Sequence, residues 1–244
     1  MIAFLTSSPC IYGVPRAILN PENYFLDNLR QSMPRHPRCL FICAAPDDPG
    51  FTDRVASEMA AAFEEAGLAF SHMSTLDRRN QQDAQMLIWQ SDLIILSGGH
   101  VPTQNEFFLE IGLKQRLRNY QGVVLGISAG SMNMAGIVYV QPEEPGESID
   151  PDFQRFAPGL GLTTANICPH YQKVKDNMLD GQRLFEDITY PDSYGHSFFA
   201  LPDGSYILIE EDGTETLFGE AYRIRNGILE MICVDEESVA LDQL

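Results

Sequence analysis

Polar and apolar positions alternate in blocks along the first half of the chain, predicting buried strands separated by helices. Continuous apolar runs are typical of strands covered on both faces, and such runs occupy most of residues 1–6, 39–44, 92–97 and 122–127. A further strand is predicted at 68–72. Helix signals lie between them, including an Asn-Pro start, a terminal Gly and a capping box, which predict helices over residues 20–33, 52–66, 81–90 and 103–119. This alternation predicts an α/β fold with a doubly wound, mostly parallel sheet flanked by helices.

The second half of the chain has a different pattern, with short alternating segments in place of the βα repeat. A loop rich in Pro, Gly and Glu at 141–147 comes first, and a helix is predicted over 175–188. Strands are predicted at 165–168, 197–201, 206–209, 215–218, 221–224 and 228–234. Asp203-Gly204 and Asn226-Gly227 are hairpin turn signals. We therefore expect C-terminal antiparallel strands and hairpins joined to the parallel sheet, within a single α/β domain over residues 1–244.

Composition and charge narrow the expected partners. The chain carries 34 acidic and 16 basic residues, a formal charge of −18, which disfavours nucleic acid and anionic membrane surfaces. Five scattered cysteines give neither a disulfide framework nor a zinc pattern. The first residues lack a basic segment, and no apolar run reaches membrane-spanning length. A cytoplasmic protein with a small-molecule partner is expected, and a homodimer is compatible with the sequence.

One stretch carries the clearest chemical signal. Gly126-Ile127-Ser128-Ala129-Gly130 follows an apolar run and precedes a segment that favours helix. Gly-x-Ser-x-Gly between a strand and a helix is typical of a nucleophile elbow, in which a serine on a strained turn projects over the strand end. Ser128 is therefore a candidate nucleophile. The alternative is a glycine-rich strand–helix turn with a capping serine.

A serine nucleophile needs a general base, usually histidine. His36 lies in a proline-broken basic loop and His72 near a strand edge, so surface positions are expected for both. His100 and His170 each follow a predicted strand, on the edge of the sheet where functional loops gather. His170 is favoured over His100 because Pro169 would hold its turn rigid.

Two further groups complete the expected chemistry. Gly98-Gly99 would let backbone amides approach a reacting carbonyl and form an oxyanion hole with Ala129, or the two glycines merely make room. A carboxylate should orient the histidine, and three glutamates fall between Ser128 and His170 in the sequence: Glu143, Glu144 and Glu147.

Three motifs in order give a family resemblance. Ser97-Gly98-Gly99-His100, Gly126-Ile127-Ser128-Ala129-Gly130-Ser131 and Ile167-Cys168-Pro169-His170-Tyr171 resemble the peptidase E and cyanophycinase family of serine peptidases. The resemblance implies a fold like that of class I glutamine amidotransferases, with serine in place of their cysteine. It implies a small peptide as the substrate, and neither a cofactor nor a metal.

The same resemblance implies roles for individual residues. Ser128 would be the nucleophile and His170 the general base, with Gly99 and Ala129 supplying the oxyanion amides. Glu143 is the expected triad acid, because it stands two residues before a proline as the family's aspartate does, and Glu144 is the close competitor. Substrate-binding roles are expected for Arg183, which would receive an acidic side chain, and for His100, which replaces an Asn-like residue.

The expected function is a dipeptidase-like serine exopeptidase that cleaves small Asp- or Glu-containing peptides through a Ser-His-Glu triad and an acyl-enzyme. One alternative is an esterase of the α/β-hydrolase kind, whose Ser–acid–His order agrees, although 42 residues between Ser128 and His170 are few for that fold. Another is a non-catalytic ligand-binding relative. A glutamine amidotransferase is disfavoured because no cysteine occupies the elbow.

Overall fold

The computed structural model describes residues 1–244 and is built on an eight-stranded sheet. Its parallel part consists of β1 (Ile2–Thr6), β2 (Arg38–Ile42), β3 (His72–Leu76), β4 (Leu93–Leu96) and β5 (Val123–Ile127). These five strands are ordered β1-β5-β4-β2-β3. The ends of β1, β5 and β4 are therefore neighbours, which places the loops that follow them side by side.

Helices connect these strands and cover both faces of the sheet. They are α1 (Phe25–Ser32), α2 (Pro49–Glu65), α3 (Ala84–Trp89) after a 3₁₀ turn (Gln81–Asp83), α4 (Val101–Glu110), α5 (Leu113–Leu117) and α6 (Ala129–Met132). Alternate side chains of β4 enter two different apolar cores, Ile94 and Leu96 one of them and Leu93 and Ile95 the other. A strand buried on both faces explains why its sequence is continuously apolar.

The rest of the chain extends this sheet and builds a second one. In order it forms β6 (Ile137–Tyr139), β7 (Phe156–Pro158), β8 (Asn166–Cys168), α7 (Tyr171–Val174), β9 (Met178–Leu179), β10 (Gln182–Arg183), a π-helix (Leu184–Thr189), α8 (Tyr190–Asp192), β11 (Ser197–Ala200), β12 (Tyr206–Ile209), β13 (Glu215–Phe218), β14 (Ala221–Arg225), β15 (Ile228–Cys233), β16 (Ser238–Ala240) and a 3₁₀ turn (Leu241–Gln243). β12 pairs antiparallel with β1 and continues through β13 to β16. The second sheet has the order β15-β14-β11-β8. The predicted fold class, a mostly parallel sheet with C-terminal antiparallel strands, is confirmed.

Several local predictions are wrong, each for a local reason. The strand predicted over 68–72 begins at His72 instead, because Gly67 (φ 74°) ends α2 and the Leu68 amide donates back to the Phe63 carbonyl at 2.8 Å. That arrangement is a helix C-cap, which holds Leu68 in the helix end. The helix predicted over 103–119 begins at Val101 and divides at Gly112, whose φ of 61° interrupts it.

The helix predicted over 175–188 is also wrong. It is replaced by the β9–β10 hairpin, whose turn residues Asp180 and Gly181 have positive φ, and by the π-helix. Of the two predicted hairpin turns, one is confirmed and one is wrong. Asn226-Gly227 forms the predicted hairpin between β14 and β15. Asp203-Gly204 does not, because β11 and β12 belong to different sheets, so this turn carries the chain from one sheet to the other. None of the helices has the length and apolar character that crossing a bilayer requires.

Candidate active site

Three loops meet at the carboxyl ends of the neighbouring strands β1, β5 and β4. Ser7 follows β1, Ser128 follows β5, and Gly98-Gly99 lies just beyond β4. A Cβ atom built on Gly98 would lie 3.5 Å from the Ser128 Cβ, so the Gly-Gly turn is packed against the serine. This edge of an α/β sheet is where ligands usually bind.

Ser128 has a strained backbone, with φ 50° and ψ −111°. Such a conformation costs on the order of 1–3 kcal/mol in a residue other than glycine and persists only where the surroundings enforce it. Here the Ser128 amide donates to two carbonyls at the end of β1, Thr6 at 3.0 Å and Ser7 at 3.1 Å. The neighbouring strand therefore fixes the turn that carries the hydroxyl.

The two glycines that flank Ser128 are required by close packing. A Cβ on Gly126 would lie 2.7 Å from the Ser131 backbone nitrogen, and one on Gly130 would overlap with the Leu96 carbonyl oxygen. Neither neighbour is a flexible side-chain end, so any larger residue would force the backbone to move. The Gly-x-Ser-x-Gly spacing thus has a steric cause on both sides of the serine.

His170 and Asp203 come from two parallel strands of the second sheet. β8 and β11 are paired in parallel, and two more hydrogen bonds continue the pairing beyond them, from the Leu201 amide to Cys168 at 3.0 Å and from the Tyr171 amide to Leu201 at 3.1 Å. The residues that follow the strands therefore emerge side by side. His170 Nδ1 lies 2.6 Å from Asp203 Oδ1.

The Asp203 carboxylate is buried and held on both oxygens, with 1% of its side chain exposed. Oδ1 accepts hydrogen bonds from His170 and from the Ser7 hydroxyl at 2.9 Å, and Oδ2 lies 2.6 Å from the Lys173 ammonium. Burial alone would raise the pKa of Asp203, but the hydrogen bond and charge of His170, followed by Lys173 and Ser7, outweigh it. The pKa of this carboxyl is therefore well below its usual value, and the group is an anion near neutral pH.

Ser7 connects the two sheets at this point. Its hydroxyl donates to Asp203 and accepts a 2.6 Å hydrogen bond from the His170 amide. This contact fixes His170, whose backbone is left-handed with φ 58°. Because Ser7 directly follows β1, it also sets His170 in position relative to Ser128 on the adjacent strand.

Ser128 and His170 line one cavity of about 250 Å³. Its apolar wall includes Met132, Val174, Met178, Leu179 and Leu184, and its polar lining includes Gln141, Glu143 and Asn177. No hydrogen bond joins the Ser128 hydroxyl to His170 in this structure, as is common for catalytic pairs before substrate binds. Both residues nevertheless line the same partly open cavity.

The amides expected to form the oxyanion hole lie beside Ser128. Gly99 has φ 155°, and a Cβ there would lie 2.6 Å from the Ala44 Cβ, so the position requires glycine. Its amide donates no hydrogen bond within the protein. Ala129 is the first residue of α6, where an amide has no carbonyl partner within the helix. Both amides are thus available for an anionic oxygen.

Glu143, the acid predicted from the sequence, is not the carboxylate that contacts His170. It is a solvent-accessible residue of the cavity wall, and its amide donates to Glu147 Oε2 at 2.8 Å. Loss of hydration within the cleft raises the pKa of Glu143 to about 7, with the negative charges of Glu147 and Glu144 adding to the shift. The carboxylate at His170 is Asp203, which follows the histidine in the sequence instead of preceding it.

Other predicted residues lie away from the cavity lining. Both ring nitrogens of His100 are engaged, Nδ1 with Thr103 and Nε2 with Glu147, each at 2.8 Å. Arg183 is exposed and forms an ion pair with Asp187 at 2.6 Å. Glu144 is exposed. The structure therefore does not bring Arg183, His100 or Glu144 to Ser128.

The sequence contains one signal at Asp203, but that signal predicts a hairpin turn and not a catalytic carboxylate. Asp-Gly after a strand is typical of a hairpin turn, and Asp203-Gly204 has that form, with Gly204 at φ 94°. What marks Asp203 as functional is the parallel pairing of β8 with β11, which places the residues after both strands together. That pairing joins segments about 30 residues apart and is decided by the tertiary fold.

A serine on a strained strand-to-helix turn, beside a histidine held by a buried carboxylate, is the arrangement of a serine hydrolase. The model of peptidase family S51 matches residues 16–217. The chain belongs to this family and is a serine peptidase, as the three sequence motifs predicted.

Comparison with solved structures gives the same fold. A protein of Listeria monocytogenes EGD-e that carries the provisional name peptidase E superposes with a TM-score of 0.57 at 16% sequence identity. The match covers 95% of this chain and 98% of the Listeria chain. No curated protein shows a significant sequence match.

Proposed function

We propose that this protein is a serine exopeptidase acting on short peptides, with Ser128, His170 and Asp203 as its catalytic triad. The observation that carries the proposal is the 2.6 Å contact between His170 Nδ1 and Asp203 Oδ1, made beside Ser128 at a single cavity. Asp203 takes the place that the sequence alone gave to Glu143. The fold, the strained serine and the family membership all agree with this assignment.

In the proposed reaction His170 acts first as a base. Asp203 accepts a hydrogen bond from the proton on Nδ1 and keeps that proton there, which leaves Nε2 unprotonated and able to take the proton of the Ser128 hydroxyl. The serine oxygen then attacks the peptide carbonyl carbon, and the resulting oxyanion accepts hydrogen bonds from the Gly99 and Ala129 amides. Such an amide is typically worth about 10²–10³ in rate.

His170 then acts as an acid and afterwards again as a base. Its Nε2 proton passes to the leaving amine, the carbon–nitrogen bond breaks, and an acyl-enzyme remains on Ser128. Water, deprotonated by His170, attacks the ester carbon and releases the carboxylic acid with Ser128 restored. Asp203 stays ionised throughout and stabilises the positive charge that forms on the imidazole.

The cavity favours the end of a short peptide over an internal segment. Its volume of about 250 Å³ lies below the roughly 300–1,000 Å³ typical of sites for drug-sized ligands. Glu143 is the one carboxylate among its lining residues, and that lining contains neither Lys nor Arg. A free α-ammonium group is a suitable partner for that carboxylate, and this supports amino-terminal recognition.

A preference for acidic side chains is the finer part of the proposal. The family resemblance implies it, but the cavity lining contains neither Lys nor Arg, and Arg183 is paired with Asp187. The neutral amides in that lining are Asn177 and Gln141, and Gln141 Nε2 already donates one of its two protons to the Thr189 hydroxyl at 2.7 Å. We therefore expect short peptides with a free amino terminus as substrates, with acidic and neutral first residues both to be compared.

The test is hydrolysis of a dipeptide and tripeptide library by the wild type and by Ser128→Ala and His170→Ala. Both variants should lose turnover by at least about 10³-fold while keeping the wild-type circular dichroism spectrum. The matched control is His36→Ala, because His36 is an exposed histidine far from the cavity lining. Unchanged turnover in Ser128→Ala would refute the assignment. Equal cleavage of free and acetylated peptides would refute amino-terminal recognition.

A further inference from the structure

The triad carboxylate has a cationic partner on the side away from His170. Lys173 Nζ lies 2.6 Å from Asp203 Oδ2, and the lysine side chain is 35% exposed against 1% for the aspartate. Apart from His170, Lys173 is the only basic residue that forms an ion pair with Asp203. A charge this deeply buried would be costly without compensation, so the lysine is part of what allows the carboxylate to remain ionised.

The local fold fixes the position of Lys173. It lies three residues after His170 on the single turn α7, and its amide donates to the His170 carbonyl at 2.7 Å. His170 is the left-handed N-cap of this turn, so the four residues from His170 to Lys173 present both the imidazole and the ammonium to Asp203. The ammonium also lies over the Tyr12 ring, 4.6 Å from its centroid, a cation–π contact that limits its movement.

The other charged residues near Asp203 form no ion pair with it. Arg16 and Glu58 line the open concavity behind Asp203 together with Cys10 and Lys173. Arg16 is paired with Glu65. Burial, ahead of the charge of Asp203, raises the pKa of Cys10 to about 11, so its thiol stays neutral.

We propose that Lys173 is a positioning residue of the triad, holding Asp203 Oδ2 so that Oδ1 stays directed at His170. This inference rests on the proposed function, because it assigns Lys173 a part in the same reaction. Lys173 is not among the residues that line the cavity, and its contact with the triad is the one with the carboxylate of Asp203. It therefore acts through that carboxylate. Ser7 contacts Oδ1 and Lys173 contacts Oδ2, so both oxygens of the carboxylate have a partner besides His170.

Removal of Lys173 has a predictable effect that depends on Asp203. If the lysine acts through the carboxylate, its loss adds little once that carboxylate has been replaced, because the effects of two residues that act as a unit are not additive. Lys173→Met should therefore slow the reaction when Asp203 is present and change it little in the Asp203→Asn background. A lysine that merely supported the fold would lower the rate by the same factor in both backgrounds.

The experiment measures the rate at which a fluorophosphonate labels Ser128, at one pH near neutrality, in the wild type, in Lys173→Met, Lys173→Gln and Lys173→Arg, and in Asp203→Asn with and without Lys173→Met. In this reaction the serine oxygen bonds to phosphorus and fluoride leaves, so no peptide substrate needs to be known. We expect Met and Gln to slow labelling about tenfold, and Met to slow it less than about twofold in the Asp203→Asn background. Arginine, which keeps the charge, should restore most of the rate.

Three results would overturn the inference: a wild-type rate in Lys173→Met, an arginine variant that behaves like the methionine variant, or a tenfold loss that Lys173→Met also causes in the Asp203→Asn background. Lys173→Gln carries the test if the methionine variant does not fold, since glutamine keeps a polar group there. The proposed function is tested separately by the wild type and Ser128→Ala. Wild-type labelling that disappears in Ser128→Ala shows that the nucleophile assignment holds, whatever the lysine variants do.

Discussion

Replacing Asp203 with asparagine is the most informative single change at this site. All three neighbours of the carboxylate are hydrogen-bond donors or cations: His170 Nδ1 at 2.6 Å, the Ser7 hydroxyl at 2.9 Å and Lys173 at 2.6 Å. Asparagine has one oxygen and one NH₂ group. Whichever way the amide is turned, its NH₂ meets a group that needs an acceptor.

The expected loss of turnover in Asp203→Asn follows from the two possible orientations of the new amide. If the NH₂ faces His170, Nδ1 must become the acceptor, so the ring proton moves to Nε2 and the base can no longer take the Ser128 proton. If it faces Lys173, the ammonium loses its carboxylate partner and meets a donor. In serine hydrolases the first outcome lowers turnover by about 10⁴-fold. We expect a loss of about 10³–10⁴ here, which is about 4–5.5 kcal/mol of transition-state stabilisation.

The assay compares steady-state hydrolysis of the best library peptide by Asp203→Asn and Glu143→Gln. These are matched carboxylate-to-amide changes, one at the contact with His170 and one in the cavity wall. The glutamine variant should keep kcat within about tenfold of the wild type, because Glu143 acts in binding and not in proton transfer. A kcat within tenfold of wild type for Asp203→Asn, together with a 10³-fold loss for Glu143→Gln, would show that the sequence-based acid was the correct one.

The same variant also tests how Asp203 makes the stability of the protein depend on pH. Because the folded state lowers the pKa of Asp203, the ionised group contributes stability that is complete above the unfolded value of about 4 and is lost as pH falls below it. The thermal unfolding temperature of the wild type should therefore fall as the pH is lowered from about 4 to about 2. Asp203→Asn should be less stable at pH 7 and show a shallower acid decline.

Three further outcomes are expected. Gly130→Ala should destabilise the protein by about 1–3 kcal/mol in urea unfolding, because the new Cβ would overlap with the Leu96 carbonyl oxygen. Gly98→Ala is the control: its Cβ would make ordinary contacts at 3.5 Å, so the unfolding midpoint should be nearly unchanged. The KM of the wild type should fall as pH rises from 6 to 7.5, since the pKa of Glu143 is about 7 and only its anion binds an α-ammonium group. Glu143→Gln should abolish this fall, and a variant that keeps the wild-type pH dependence would argue against amine recognition. Arg183→Ala should leave kcat/KM within about threefold for acidic and neutral peptides alike, because this arginine is exposed and already paired, and a selective loss on acidic peptides would restore its predicted role.

Local residue patterns determine the parallel strands of this protein and the turn that carries Ser128. The continuous apolar runs of β1, β2, β4 and β5 fix buried parallel strands because a strand covered on both faces has no polar side. The Gly-x-Ser-x-Gly spacing likewise follows from contacts within a few residues of Ser128 and with the next strand. The peptidase family was recognisable for the same reason, since its three motifs lie at the ends of strands that the pattern already predicted.

What only the tertiary structure decided is which distant residues meet. The sequence offered Glu143 because it lies between Ser128 and His170, but the parallel pairing of β8 and β11 brings Asp203 to the histidine instead. Ser7 and Lys173 join the same carboxylate from β1 and α7. Strand pairing between remote segments depends on the summed burial of the whole sheet, and no short window of sequence contains that information.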